Sequence, residues 1–134
     1  MVARNSKGEL VRRPLSPHLQ VYRWPLSMGL SIAHRVSGVG LGIGTLLLTA
    51  WLVTAATSDD GFERFQAFLG SAFGMLLLFG WTLALVFHFM SGLRHLWMDT
   101  GRGYDEKEYE RSGLAVLVCT GVFTVLIWLA GLFI

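Results

Sequence analysis

Three long apolar runs, separated by two short polar segments, set the pattern of this chain. They cover about 31–57, 66–98 and 113–134, and each exceeds the ~20 residues an α-helix needs to cross a bilayer. The pattern predicts an all-α membrane protein with three transmembrane helices. Ser58-Asp59-Asp60-Gly61 ends the first run with turn chemistry, and the densely charged segment from Arg102 to Arg111 separates the second from the third. That second segment reads as a solvated connection containing some helix. Residues 62–68 read either as an interfacial helical turn or as the start of the second helix. The predicted division is a basic amino-terminal segment, 1–30, at the inner membrane surface, followed by a three-helix membrane unit, 31–134.

The amino-terminal segment carries Arg4, Lys7, Arg12, Arg13 and Arg23 against a single acid, Glu9. Pro14 and Pro17 exclude a continuous helix, so Arg13 to Tyr22 is expected as ordered, extended chain at the membrane surface. Tyr22 and Trp24 suit the headgroup level. Pro25 suits a first helical turn, and Ser27 or Ser31 could cap it. No secretory signal peptide is expected, because the first 30 residues hold several charges, three prolines and no early apolar core.

Composition agrees with a membrane. The chain is 53% apolar and only 15% charged, against about 25% charged in soluble domains, and its mean hydropathy is +0.53. The single cysteine, Cys119, excludes an intrachain disulfide and a cysteine-built metal site, and reads as a small packing residue. The cations are unevenly spread. Arg4, Lys7, Arg12, Arg13, Arg23 and Arg35 precede or open the first run. Arg64 alone lies in the first break, and Arg94, Arg102, Lys107 and Arg111 surround the second. The positive-inside rule therefore places the amino terminus inside and the carboxyl terminus outside. The basic tail is short and adjoins a membrane, so lipid headgroups are its expected partner and nucleic acid is not.

The chemistry concentrates in Phe87-His88-Phe89-Met90-Ser91-Gly92-Leu93-Arg94-His95, at the end of the second run. A spacing of seven puts His88 and His95 on nearly one helical face, roughly 10 Å apart along the axis. Ionisable groups are expensive inside a bilayer and mark functional sites. Gly80, Ala84, His88, Ser91, Gly92 and His95 recur at intervals of four or three, a narrow face suited to a flat macrocycle. In the first run, Ser31, His34, Arg35, Gly38 and Gly42 share a face. Gly38 with Gly42, and Gly40 with Gly44, form small-xxx-small pairs that admit either another helix or a flat ligand. His88 has two readings: an axial ligand of a b-type haem, or a histidine hydrogen-bonded to a neighbouring helix. His95, nearer the interface, suits hydrogen bonding or a propionate contact. His34 and Arg35 could pair with haem propionates, or Arg35 could snorkel to the bilayer edge. No hydrolytic constellation is present, and proton-relay transport is disfavoured because the interiors of the first and third runs lack acids.

Three blocks carry a resemblance: Arg13-Pro14-Leu15-Ser16-Pro17-His18-Leu19, Ser31-Ile32-Ala33-His34-Arg35-Val36-Ser37-Gly38 and His88-Phe89-Met90-Ser91-Gly92-Leu93-Arg94-His95-Leu96-Trp97-Met98-Asp99. Together they closely resemble the cytochrome b anchor subunits of succinate dehydrogenase, a family of complex II membrane anchors, over the whole chain. The resemblance implies a subunit that takes no part in succinate oxidation itself. It implies a helical bundle completed by a second anchor subunit, carrying an iron–sulfur subunit and a flavoprotein subunit on the inner face. A b-type haem would lie between the anchors, one histidine coming from each, and electrons from succinate would reduce a quinone near the iron–sulfur subunit. On this likeness His88 matches the haem ligand, and Ser31 and Arg35 match quinone-site residues. His34 and Arg35 match propionate contacts, and His95 and Asp99 match supporting positions. The rivals are a haem-free structural anchor for the same soluble pair and a dihaem cytochrome b, for which four histidines at these depths supply too few ligands. A bacterial cytoplasmic membrane is favoured over the mitochondrial inner membrane.

Overall fold

The computed structural model describes residues 2–12 and 22–133, so the expected extended chain, apart from Tyr22, and the whole block from Arg13 to Leu19 lie outside the described residues. The elements run β1 (Val2–Arg4), β2 (Leu10–Arg12), α1 (Leu26–Thr57), α2 (Asp59–Leu69), α3 (Ala72–Asp99) and α4 (Glu106–Phe133). The four helices form an all-α bundle, and α1, α3 and α4 are each long and apolar enough to cross a membrane.

The sequence pattern did not disclose the antiparallel hairpin β1–β2. Its turn is built by Asn5, whose Oδ1 accepts from the backbone N–H groups of Lys7 and Glu9, and by Gly8 at φ +82°. Pro25 occupies the N-cap of α1 in extended conformation, with no side-chain cap, so neither Ser27 nor Ser31 serves there. Helix α1 consequently starts at Leu26, before the apolar run proper. The 59–69 segment is a helix of its own. Ser58 caps it by accepting from the Gly61 N–H at 3.1 Å, and Asp59 and Asp60 favour the positive end of its dipole. It packs back on α1, where the Trp51 ring lies 5.8 Å from Phe62 and the Trp51 Nε1–H donates to Gln66. Gly74 makes the turn into α3 possible, because a Cβ there would collide with the Phe68 carbonyl. Much of the charged second connection is also helical, since Glu106 to Arg111 form the start of α4. Before it, Gly101 and Gly103 hold positive φ, and the Trp97 ring covers Gly103.

Helix α3 is central, packing against α1 on one side and α4 on the other. Leu30, Phe87 and Val116 form the small buried core, with Met90 against it. Only 6% of the apolar stretch of α1 is buried within the chain, against 17% for α3 and α4. The bundle therefore leaves most of the apolar surface of its spanning helices uncovered by the chain itself.

Where α1 meets α3 the glycines decide the distance. Gly44 faces the Trp81 indole so closely that a Cβ would overlap it, whereas Gly40 and Gly42 face open space. Each predicted glycine pair therefore uses one member inside the chain and leaves the other free. Replacing Gly44 with Val is expected to force Trp81 off α1 at a cost of about 1–3 kcal/mol, the usual range for overpacking. Thermal melting in detergent reads this as a lower midpoint. Gly29→Ala, whose added methyl meets open space, does not lower it.

Candidate functional site

Helices α1 and α3 bring three imidazoles together. The His34 ring stacks on His88 with centroids 4.1 Å apart and planes 14° apart, and on His95 at 4.9 Å and 25°. The spacing of seven along α3 thus becomes a slot that one ring from α1 fills. Proximity of His88 and His95 was legible from helical periodicity, but insertion of His34 between them was not.

The hydrogen bonds assign roles to the ring nitrogens. The Ser37 hydroxyl donates to the His34 carbonyl at 2.8 Å, as small hydroxyls do one turn back along a helix. The His88 Nδ1 lies 3.1 Å from the same hydroxyl oxygen and 3.2 Å from the same carbonyl. A carbonyl only accepts, and the hydroxyl hydrogen is already committed, so Nδ1 carries the proton and donates to both. The Nε2 lone pair of His88 is left free, with no hydrogen-bond partner among the described residues. The His95 Nδ1 donates to the Ser91 carbonyl at 2.7 Å. His34 Nε2 is buried and has no hydrogen-bond partner among the described residues.

The other candidate residues lie around this stack. Ser31 is half-buried and Arg35 exposed, one helical turn apart on α1. Asp99 is the exposed last residue of α3. Their side chains make no hydrogen bond or ion pair among the described residues. Gly80 and Gly92, on the small-residue face of α3, also open onto free space.

One important residue had no role of its own in the sequence reading. Arg94 is buried to 7% exposure. Its Nε–H donates to Ser112 at 2.9 Å, its Nη2 donates to the Tyr109 carbonyl at 3.1 Å, and its guanidinium lies 4.2 Å from the Tyr109 ring centroid. The planar fork and its stacking face are both used, which a lysine cannot reproduce. Arg94 thereby ties α3 to the first turns of α4. The signal was an arginine directly preceding His95, but its partners lie 15 and 18 residues onward, Tyr109 in the charged connection and Ser112 just after it.

The fold and the site together define a multi-pass membrane anchor with histidines gathered between its spanning helices. Residues 9–127 match the family described as the succinate dehydrogenase/fumarate reductase transmembrane subunit. The chain is 42% identical over 114 residues to the succinate dehydrogenase cytochrome b556 subunit of Paracoccus denitrificans, covering 85% of this chain and 88% of that one. It is 38% identical to the mitochondrial cytochrome b560 subunit of Bos taurus (90% and 72% covered) and 32% identical to the b556 subunit of Rickettsia felis (87% and 91% covered). This chain belongs to the succinate dehydrogenase/fumarate reductase transmembrane subunit family. It is an integral membrane anchor of the respiratory complex II enzyme, associated with the tricarboxylic acid cycle, and not the subunit that oxidises succinate.

The Arg94 clamp gives a direct test. Arg94→Leu is expected to cost about 1.5–3 kcal/mol, the range for a hydrogen bond to a charged group. Arg94→Lys recovers less than half of that. Melting of the purified complex in detergent provides the measurement.

Proposed function

We propose that this chain holds a b-type haem through His88, with the second axial histidine supplied by a partner anchor subunit, and that Ser31 and Arg35 form part of a quinone-reducing site. The observation that carries this reading is the state of His88. Its Nδ1 is tied to α1 and its Nε2 remains available as a donor, the arrangement expected of a ligating imidazole, whose other nitrogen is usually anchored to a carbonyl or carboxylate. Two further observations support the fit. The buried ring nitrogen of His34 lacks a partner among the described residues, which suits a propionate oxygen. Gly80 and Gly92 leave the His88 side of α3 without bulk.

When bound, a b-type haem supplies one-electron redox chemistry. The protein's own contribution is to hold, orient and neutralise. The planar fork of Arg35 can orient a quinone carbonyl or meet a propionate. Ser31, a turn earlier, can donate a hydrogen bond to a quinone carbonyl and stabilise negative charge developing there. His34 can contact a propionate, and His95 and Asp99 support the same end of the bundle. The proposed partners are the second anchor, an iron–sulfur subunit and a flavoprotein subunit. The proposed location is a bacterial cytoplasmic membrane, with the amino terminus inside, as the cation distribution favours.

A reduced-minus-oxidised optical spectrum of the intact complex tests the haem reading. His88→Leu is expected to abolish or shift the b-type signal, and an unchanged spectrum contradicts it. Such a signal missing from wild type that still reduces quinone leaves a haem-free anchor. For the quinone reading, Arg35→Leu or Ser31→Ala is expected to lower quinone reductase activity. For Arg35, loss of a charged hydrogen bond worth about 1.5–3 kcal/mol corresponds to roughly 10- to 100-fold. Unchanged activity in both variants contradicts it.

A further inference from the structure

Ser37 and Gly38 lie inside the first-helix motif, and both meet His88, Ser37 by the hydrogen bond already described and Gly38 by the gap it leaves. The Ser37 hydroxyl hydrogen is spent on the His34 carbonyl, so toward His88 its oxygen can act only as an acceptor. The His34 carbonyl is a second acceptor for the same ring nitrogen. Gly38 makes both contacts reachable. A Cβ at that position would lie 3.1 Å from Cε1 of His88 and 3.6 Å from its Nδ1. The first of these is tighter than ordinary contact, so any side chain there pushes the ring away from its acceptors. The His34 ring also bounds His88, stacked on it within 14° of parallel.

We propose that Ser37 and Gly38 are positioning residues that fix the tautomer and ring plane of His88 for iron ligation. A histidine χ2 torsion is broad and roughly two-fold on its own, so an unanchored ring could present either nitrogen. The bracket removes that freedom. Two acceptors keep the proton on Nδ1, and the glycine gap with the His34 stack holds the plane. Hydrogen bonding at Nδ1 also makes Nε2 a more electron-rich donor, which favours ferric over ferrous iron and lowers the reduction potential. This inference rests on the reading of His88 as the haem ligand.

The test uses the intact complex with Ser37→Ala, Ser37→Thr, Gly38→Ala and His88→Leu. The readouts are haem content, midpoint potential by optical redox titration, and the ferric low-spin electron paramagnetic resonance spectrum. Ser37→Ala is expected to raise the midpoint potential, while Ser37→Thr, which keeps the acceptor, stays near wild type. Gly38→Ala is expected to move the resonance positions by turning the ring and to weaken haem retention by about 10- to 100-fold, as loss of ligand support usually does. The proposal is overturned if Ser37→Ala and Gly38→Ala keep wild-type potential and resonance positions. It is also overturned if Ser37→Thr shifts as far as Ser37→Ala. If His88→Leu leaves the haem spectrum unchanged, the ligand reading fails and the proposal falls with it. If His88→Leu removes the signal while the α1 variants stay silent, the ligand reading stands and only the bracket fails.

Discussion

Two membrane helices can approach closely only where one of them gives up a side chain. Between apolar helices in lipid there is little hydrophobic drive, so close packing and hydrogen bonds must hold them together. In this chain the first helix gives way at Gly44, which admits Trp81, and at Gly38, which admits His88. The contact at Gly38 also brings hydrogen bonds, because α1 offers a serine oxygen and a carbonyl where the imidazole arrives. The histidine stack depends on this approach, since His34 reaches the slot between His88 and His95 only if α1 lies against α3. The far side of α3 is held differently, by a buried arginine that spans to Ser112 and Tyr109.

Much of this was legible in the sequence for simple reasons. Three apolar runs of spanning length leave few architectures, because backbone polar groups in lipid must be satisfied within a helix or a closed barrel. Periodicity put His88 and His95 on one face, and the glycine spacing marked α1 as a close-packing surface. What sequence could not supply was the azimuth of one helix against another. Both glycine pairs look alike along the chain, yet only Gly38 and Gly44 are used inside it, while Gly40 and Gly42 face outward. The same ignorance hid the insertion of His34 and the roles of Ser37 and Arg94, each fixed by a partner on a different helix. The hairpin at the amino terminus escaped because three-residue strands fall below any useful periodicity.

The outward-facing glycines and the thin burial of α1 bear on the proposed assembly. Among the described residues His88 and His95 each have Nδ1 tied to a carbonyl and Nε2 without a hydrogen-bond partner, and only His88 is tied across to another helix. Iron in a low-spin b-type haem needs a second axial ligand. In the proposed account that ligand arrives with another anchor helix, which would also cover apolar surface that this chain leaves open. Family membership and the physical incompleteness of the site thus point the same way.

The most direct measurement is a high-resolution structure of the assembled, oxidised complex, asking which ring nitrogen of His88 faces the iron. The account predicts that Nε2 of His88 coordinates and that Nδ1 remains within hydrogen-bond distance of Ser37 and the His34 carbonyl, with the opposite axial imidazole coming from another chain. Coordination through Nδ1, or by His34 or His95 in place of His88, would contradict it.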